Sequence, residues 1–152
     1  MSSVAVVDYG MGNLHSIAKA LQFADADASI QVTADPNLII NADRVVFPGV
    51  GAIRDCIDAL HRFELVDVIN EVAKTRPLLG ICLGMQALLT HSEENNGIPC
   101  LDIVPGEVRH FPENQQNDQG ERLKIPHMGW NQVYQHHRSE EHTSELQSHL
   151  NL

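Results

Sequence analysis

The sequence has few cysteines and no long apolar run, and each shortage excludes a class of protein. Its 152 residues include three cysteines, Cys56, Cys82 and Cys100, without a C-x-x-C pair. We therefore expect neither a disulfide scaffold nor a zinc ribbon, and no other metal-ligand spacing stands out. The apolar runs are well under the ~18 residues of a membrane span, and the first residues do not resemble a signal peptide. We expect a cytoplasmic protein that does not enter a membrane.

Positive charge is the second shortage. Lysine and arginine number 10 against 20 acidic residues, a formal net charge of −10. An acidic surface repels phosphate backbones, so we expect no nucleic-acid partner, although a protein with a basic face is not excluded. The 43% of hydrophobic residues is enough to build the core of one ordinary domain.

The first two thirds of the chain alternate between strand-like and helix-like patterns. Asp35-Pro36 reads as a helix cap followed by proline at the first helical position. Strands alternating with helices indicate a parallel sheet that is covered on both faces. The predicted strands are residues 4–8, 29–33, 44–47 and 77–81, with a helix over 84–89 and two further short strands over 104–111 and 123–133.

The sharpest local signal is the G-x-C-x-G turn at residues 80–84. It lies between a predicted strand and a predicted helix, where a sharp turn projects a nucleophile from the edge of a parallel sheet. The helix that follows would bring its positive end near Cys82, and the N–H of Leu83 would face a developing oxyanion. The alternative is that Cys82 is a small buried hydrophobe, which is our interpretation of Cys56 and Cys100.

Two further glycine turns follow predicted strands. Pro48-Gly49-Val50-Gly51 could present backbone N–H groups to an oxyanion, or could be a simple turn. The turn at residues 9–13 lacks the G-x-G-x-x-G spacing of a dinucleotide site, so we do not expect nucleotide binding.

Taken together, these segments resemble the class I (triad-type) glutamine amidotransferases. Within them the chain is most similar to the glutaminase-subunit family of imidazole glycerol phosphate synthase. The resemblance covers residues 3 to about 137 and implies a three-layer α/β fold, with a mostly parallel sheet between helices, incomplete at the C-terminus. It rests on the segments DYGMGN at 8–13, FPGVG at 47–51, GICLGMQ at 80–86 and PHMGWN at 126–131.

The resemblance implies a catalytic role for four residues. Cys82 would attack the side-chain amide of L-glutamine, giving a thioester and ammonia. The turn at Val50 and Gly51, together with the Leu83 amide, would form the oxyanion hole.

It also implies binding roles. Gly49 and Gln86 would help to hold glutamine, without any cofactor. Ammonia would pass to a (β/α)₈ cyclase subunit in a heterodimer, and Asn13, Met128 and Trp130 would face that partner. Taken alone, Met128 and Trp130 would more often be ordinary core or edge residues.

The residues that would complete the catalytic triad are missing from the sequence. The family supplies them in a late His-Pro-Glu motif, which does not occur in these 152 residues. His91-Ser92-Glu93 is only a partial match, and we expect it on the surface at the end of the helix that follows Cys82. The chain itself is therefore expected to be inactive, or to form a thioester without turnover.

The last fifteen residues differ from the rest. Residues 138–149 read RSEEHTSELQSH, which is identical to the frame-one translation of a common short-read sequencing adapter. We therefore expect residues 1–137 to be a partial glutamine amidotransferase domain and residues 138–152 to be a non-native tail. The alternative is a genuine exposed polar tail.

Two other functions remain open. The chain could be a non-catalytic docking module or pseudoenzyme of the same complex. It could also be a glutamine amidotransferase of another pathway, although the PHMGWN segment argues against this reading.

Overall fold

The computed structural model describes residues 2–125, 130 and 132, and it confirms the mostly parallel α/β architecture. The chain divides into a first unit, residues 1–110, and a second unit, residues 111–152. From residue 3 to residue 87 each strand is followed by one or two helices, as the sequence pattern predicts. They are β1 (Ser3–Val7), α1 (Leu14–Ala24), β2 (Ser29–Thr33), α2 (Pro36–Asn41), β3 (Arg44–Phe47), α3 (Ile53–Arg62), α4 (Val66–Thr75), β4 (Leu78–Gly80) and α5 (Leu83–Ala87).

The main sheet has the strand order β2-β1-β3-β4, and all its pairings are parallel. The carboxyl ends of the strands therefore share one edge, and ligands of open α/β sheets bind at that edge. In the register between β3 and β4, Phe47 lies opposite Gly80. The turns that follow these two strands thus start side by side.

The central strands β1 and β3 send buried side chains to both faces of the sheet, because neighbouring residues of a strand point to opposite sides. In β1, Ala5 and Val7 pack into one core cluster, which also takes residues of α2 to α5. Val4 and Val6 pack into the other cluster, against α1. Helices thus cover both faces, as the predicted three-layer arrangement requires.

Helix starts near the sheet edge are fixed by side chains. Asp35 caps α2 by accepting a 2.8 Å hydrogen bond from the Asn37 amide, and Pro36 is the first helical residue, as predicted. Asn13 caps α1 through a 3.3 Å bond from the Ser16 amide.

A second, three-stranded sheet follows α5, and it corrects two predictions. It comprises β5 (His91–Ser92), β6 (Ile98–Pro99) and β7 (Glu107–Val108), in the order β6-β5-β7. The predicted helix therefore ends at Ala87, and His91-Ser92 is a strand whose serine is buried. A strand over all of 104–111 is wrong, because only two of those residues pair with β5.

The second unit contains little regular structure within residues 111–125. It holds an isolated bridge between Gln116 and Arg122. Residues 123–125 are not a strand, which contradicts the start of the strand predicted over 123–133, and most of the rest lies outside the described residues. Within residues 2–125, 130 and 132, no helix is long and apolar enough to cross a membrane.

Candidate active site

Cys82 occupies the turn between β4 and α5 in a backbone conformation that residues other than glycine rarely adopt. Its φ is 53° and its ψ is −115°, a combination that suits glycine and strains a residue with a β-carbon. The residue is exposed, whereas Cys56 is buried. The alternative of Cys82 as a buried hydrophobe is therefore wrong, and the interpretation of Cys56 as a core residue is confirmed.

The two glycines around Cys82 are required by close packing. A β-carbon on Gly80 would lie 2.8 Å from the Met85 Cα atom, so Gly80 lets α5 fold back over the strand end. A β-carbon on Gly84 would overlap the carbonyl oxygen of Phe47 in the neighbouring strand. The turn is thus pressed between its own helix and β3, and Cys82 is left as the residue that projects outward.

The Pro48–Gly51 loop lies directly against this turn. Gly49 is buried, and a β-carbon there would meet the Gly84 nitrogen at 2.9 Å and the Leu83 Cβ atom at 3.0 Å. Beyond Gly49 the loop turns outward, where Val50 is 52% exposed and Gly51 has a φ of +102°. The structure therefore brings together the two motifs that the sequence analysis treated as candidate parts of one site.

Three backbone N–H groups lie at this junction without a partner in the part of the chain that the structure describes. Among the residues that the structure describes, no acceptor is found for the N–H of Val50, Gly51 or Leu83. Leu83 is the first residue of α5, and helix-start N–H groups have no partner within their own helix. Groups of this kind are suited to holding an oxygen that becomes negative during a reaction.

The other predicted site residues have simpler surroundings. Gln86 is half-buried on α5, one helical turn after Cys82. Asn13 is exposed at the start of α1, and Trp130 in the second unit is 99% exposed. Met128 lies outside the described residues.

Tyr9 is a site neighbour that the sequence analysis did not single out. Its buried hydroxyl donates a 2.7 Å hydrogen bond to the carbonyl of Pro48. The same oxygen accepts a 3.5 Å hydrogen bond from the Cys56 thiol. Burial raises the pKa of both Tyr9 and Cys56 well above their ordinary values, so both groups stay protonated at neutral pH. No sequence signal marks this contact, because it joins residues 39 positions apart.

The far end of the same loop has its own contact. Ala52 precedes α3 without a side-chain cap. The N–H of Ile53 instead donates a long, 3.4 Å hydrogen bond to the carboxylate of Glu94, which lies just after β5. The loop between Pro48 and Ile53 is therefore anchored near both of its ends.

The surroundings of the site offer no metal centre within the described part of the chain. No group of three or more His, Cys, Asp or Glu side chains there could hold a metal ion. The donors around Cys82 are instead backbone amides, an arrangement that suits a carbonyl or carboxylate ligand.

Comparison with known families agrees with this geometry. The family described as Glutamine amidotransferase class-I matches residues 5–151. The chain belongs to the class I glutamine amidotransferase family.

Individual relatives narrow the comparison. The chain is 62% identical over 134 residues to the imidazole glycerol phosphate synthase subunit HisH of Methylococcus capsulatus, covering 88% of this chain and 62% of that protein. It is 57% identical over 135 residues to HisH of Pseudomonas putida, covering 89% of this chain and 63% of the relative. HisH of Nitrosococcus oceani is also 57% identical over 135 residues, with 89% and 62% covered. The chain thus spans somewhat less than two thirds of the length of these relatives.

Proposed function

We propose that this chain is the nucleophile-bearing part of the glutamine amidotransferase subunit of imidazole glycerol phosphate synthase, with Cys82 as its catalytic nucleophile. The observation that carries the proposal is the exposed, strained Cys82 at a junction where three N–H groups have no acceptor among the described residues. The similarity to subunits named HisH selects the histidine-pathway enzyme among glutamine amidotransferases.

The chemistry follows from this arrangement. The Cys82 sulfur attacks the side-chain carbonyl carbon of glutamine, and the carbonyl oxygen takes up the negative charge. The N–H groups of Val50, Gly51 and Leu83 stabilise that charge. The carbon–nitrogen bond then breaks, the amide nitrogen leaves with a proton as ammonia, and a thioester remains on Cys82. Water hydrolyses the thioester to glutamate and restores the thiol.

Substrate and partner contacts extend the proposal beyond the nucleophile. Gly49 and Gln86 help to hold glutamine, and the burial of Gly49 against the Cys82 turn supports its part. Asn13, Met128 and Trp130 face a cyclase subunit that receives the ammonia, in a cytoplasmic heterodimer. Exposure of Asn13 and Trp130 supports their availability to a partner.

The 152-residue chain performs at most the first half of this reaction. Its sequence has no His-Pro-Glu motif to activate the thiol and the hydrolytic water. We therefore propose that glutamine acylates Cys82 slowly and that the thioester is not turned over.

A chimera tests the pathway assignment. Residues 1–137 are joined to the remaining C-terminal part of the Methylococcus capsulatus relative and expressed in a bacterium that lacks HisH. We expect growth without histidine, and no growth when the chimera carries Cys82→Ala. Growth of the Cys82→Ala chimera would contradict the role of Cys82. A chimera that folds but does not support growth would favour a docking module or another pathway.

A second measurement tests the chain alone. The purified chain is incubated with glutamine, quenched in acid and mapped by mass spectrometry. We expect a glutamyl group on the Cys82 peptide and at most about one ammonia released per chain. Cys100→Ala is the matched control and should keep the adduct. Steady release of ammonia, or an adduct that is equally abundant on Cys100, would contradict the proposal.

A further inference from the structure

The Tyr9 hydroxyl is a buried polar group at the base of the Pro48–Gly51 loop. It donates to the Pro48 carbonyl at 2.7 Å, and a β-carbon on Gly49 would lie 2.5 Å from its oxygen. The Tyr9 ring packs against Phe47, with ring centroids 5.5 Å apart. Tyr9 therefore contacts three consecutive residues, from the end of β3 to the first glycine of the loop.

This contact fixes the plane of one peptide. Because a peptide unit is planar, holding the Pro48 carbonyl also sets the direction of the Gly49 N–H. Immediately afterwards the chain becomes permissive, since Gly49 and Gly51 flank the exposed Val50. Along the chain, the hydrogen bond from Tyr9 to Pro48 is thus the last contact that fixes the loop before Val50 and Gly51. The N–H groups of these two residues have no acceptor in the described residues.

We propose that Tyr9 is a positioning residue, whose hydroxyl aims the N–H groups of Val50 and Gly51 at the oxygen of a carbonyl substrate bound to Cys82. This inference rests on the proposed function. Tyr9 does not touch the reacting atoms in this scheme. It acts through the Pro48 carbonyl, so its loss should impair carbonyl recognition while leaving the sulfur accessible and nucleophilic.

Two reagents that alkylate Cys82 separate these effects. The chloromethyl ketone analogue of glutamine places a carbonyl oxygen where the loop amides would bind it. The sulfur displaces chloride from the adjacent carbon, so that one carbon–sulfur bond forms and one carbon–chlorine bond breaks. Iodoacetamide alkylates the same sulfur by displacement of iodide and reports its general accessibility. The ratio of the two rates on the Cys82 peptide measures recognition by the loop.

Tyr9→Phe removes the hydroxyl and keeps the ring. In the full 152-residue chain we expect the ratio to fall about tenfold, since the donors lose their fixed aim, while the iodoacetamide rate changes less than about twofold. Cys56→Ala is the matched control, because it disturbs the same buried cluster on the other side of the hydroxyl and leaves the bond to Pro48. Its ratio should stay within about twofold of the unmodified chain.

In the unmodified chain and in Tyr9→Phe, buried Cys56 reports on folding, because only an unfolded chain exposes it to iodoacetamide. Cys56→Ala lacks this reporter, so its folding is checked by urea titration. If Tyr9→Phe exposes Cys56 in part of the sample, the ratio is read by intact-mass analysis from the chains whose Cys56 carries no label, and it should fall in the same way. An unchanged ratio in a folded variant would overturn the role of Tyr9 alone. If Cys82 of the unmodified chain shows no preference for the glutamine analogue over iodoacetamide, the proposed function is overturned, and the inference about Tyr9 with it.

Discussion

The carbonyl oxygen of Phe47 occupies the space that a β-carbon on Gly84 would need. Phe47 ends β3, and Gly84 lies in the first turn of α5, so this contact seats the Cys82 turn on the neighbouring strand. The carbonyl of Phe47 also accepts a 3.0 Å hydrogen bond from the Ile81 amide. The Phe47 oxygen therefore contacts the turn both at Ile81 and at Gly84, and it leaves no room for a side chain at position 84.

Replacing Gly84 by alanine should therefore destabilise the fold and displace Cys82. We expect Gly84→Ala to lower the free energy of unfolding by about 3 kcal/mol, the upper range for overpacking, because the clash is with backbone. Urea titration measures the loss. Met85→Ala changes an exposed side chain on the same helix and should stay within about 0.5 kcal/mol of the unmodified chain. Equal stability of the two variants would contradict the contact.

The strained backbone of Cys82 gives a prediction with the opposite sign. Glycine adopts a φ of 53° with a ψ of −115° without strain, whereas alanine does not. Glycine removes backbone strain of about 1–3 kcal/mol from the folded state. It also raises the conformational entropy of the unfolded chain, which costs about 0.4–1 kcal/mol of stability and is the smaller effect. Cys82→Gly should therefore be more stable than Cys82→Ala by about 1 kcal/mol in urea titrations.

The same pair of substitutions at Cys100 provides the control. Cys100 is not among the described residues with a positive φ, so alanine should be the more stable replacement there. If glycine were no better than alanine at position 82, the turn would be unstrained and the sharp bend would have to be explained differently.

The two central strands of the main sheet, β1 and β3, could be predicted from the sequence because they are buried on both faces. Such strands are nearly continuous apolar runs bounded by turn residues, and β3 begins and ends where the pattern predicts. The edge strand β2 also has its predicted bounds, although its residues are exposed or half-buried. The Cys82 turn could be predicted for a similar reason, since glycine on both sides of one residue is a local requirement of a tight strand-to-helix turn.

The second sheet and the Tyr9 contact could not be predicted in this way. Strands of two residues, such as His91–Ser92, are too short for any periodicity, and they exist because segments distant in the chain pair with them. The bond from Tyr9 to Pro48 likewise depends on the register of β1 and β3, which brings distant residues side by side. Tertiary packing, rather than local pattern, decides both features.

The tail of the sequence gives a prediction about the gene. We propose that residues 138–152 are translated sequencing adapter and that residues 1–137 are a partial glutamine amidotransferase domain. The family match extends to residue 151, so an independent measurement has to decide. Sequencing of the genomic locus should depart from the printed sequence after about codon 137 and continue to a His-Pro-Glu motif. A genomic frame that encodes RSEEHTSELQSH would contradict the proposal and make the tail a genuine part of the protein.

The amino ends of β1 and β3 are joined by a pH-sensitive contact. The Asp43 carboxylate accepts hydrogen bonds from the Ser3 amide at 2.8 Å and the Ser3 hydroxyl at 2.9 Å. These bonds lower the pKa of Asp43 below its ordinary value, with smaller contributions from Arg76 and Arg44. A carboxyl group with a lowered folded-state pKa stabilises the fold above its unfolded pKa, and this stabilisation is lost as pH falls through the folded value.

Asp43→Asn should therefore unfold at lower urea concentration than the unmodified chain at pH 7. The difference should persist down to about pH 4, the ordinary pKa of an aspartate, and shrink below it as Asp43 is protonated in the folded state. Asp118→Asn, which changes an exposed carboxylate in the loop after β7, is the control and should show no such pH-dependent difference. A gap between Asp43→Asn and the unmodified chain that stays constant from pH 7 to pH 2, roughly, would mean that the charge of Asp43 does not stabilise the fold.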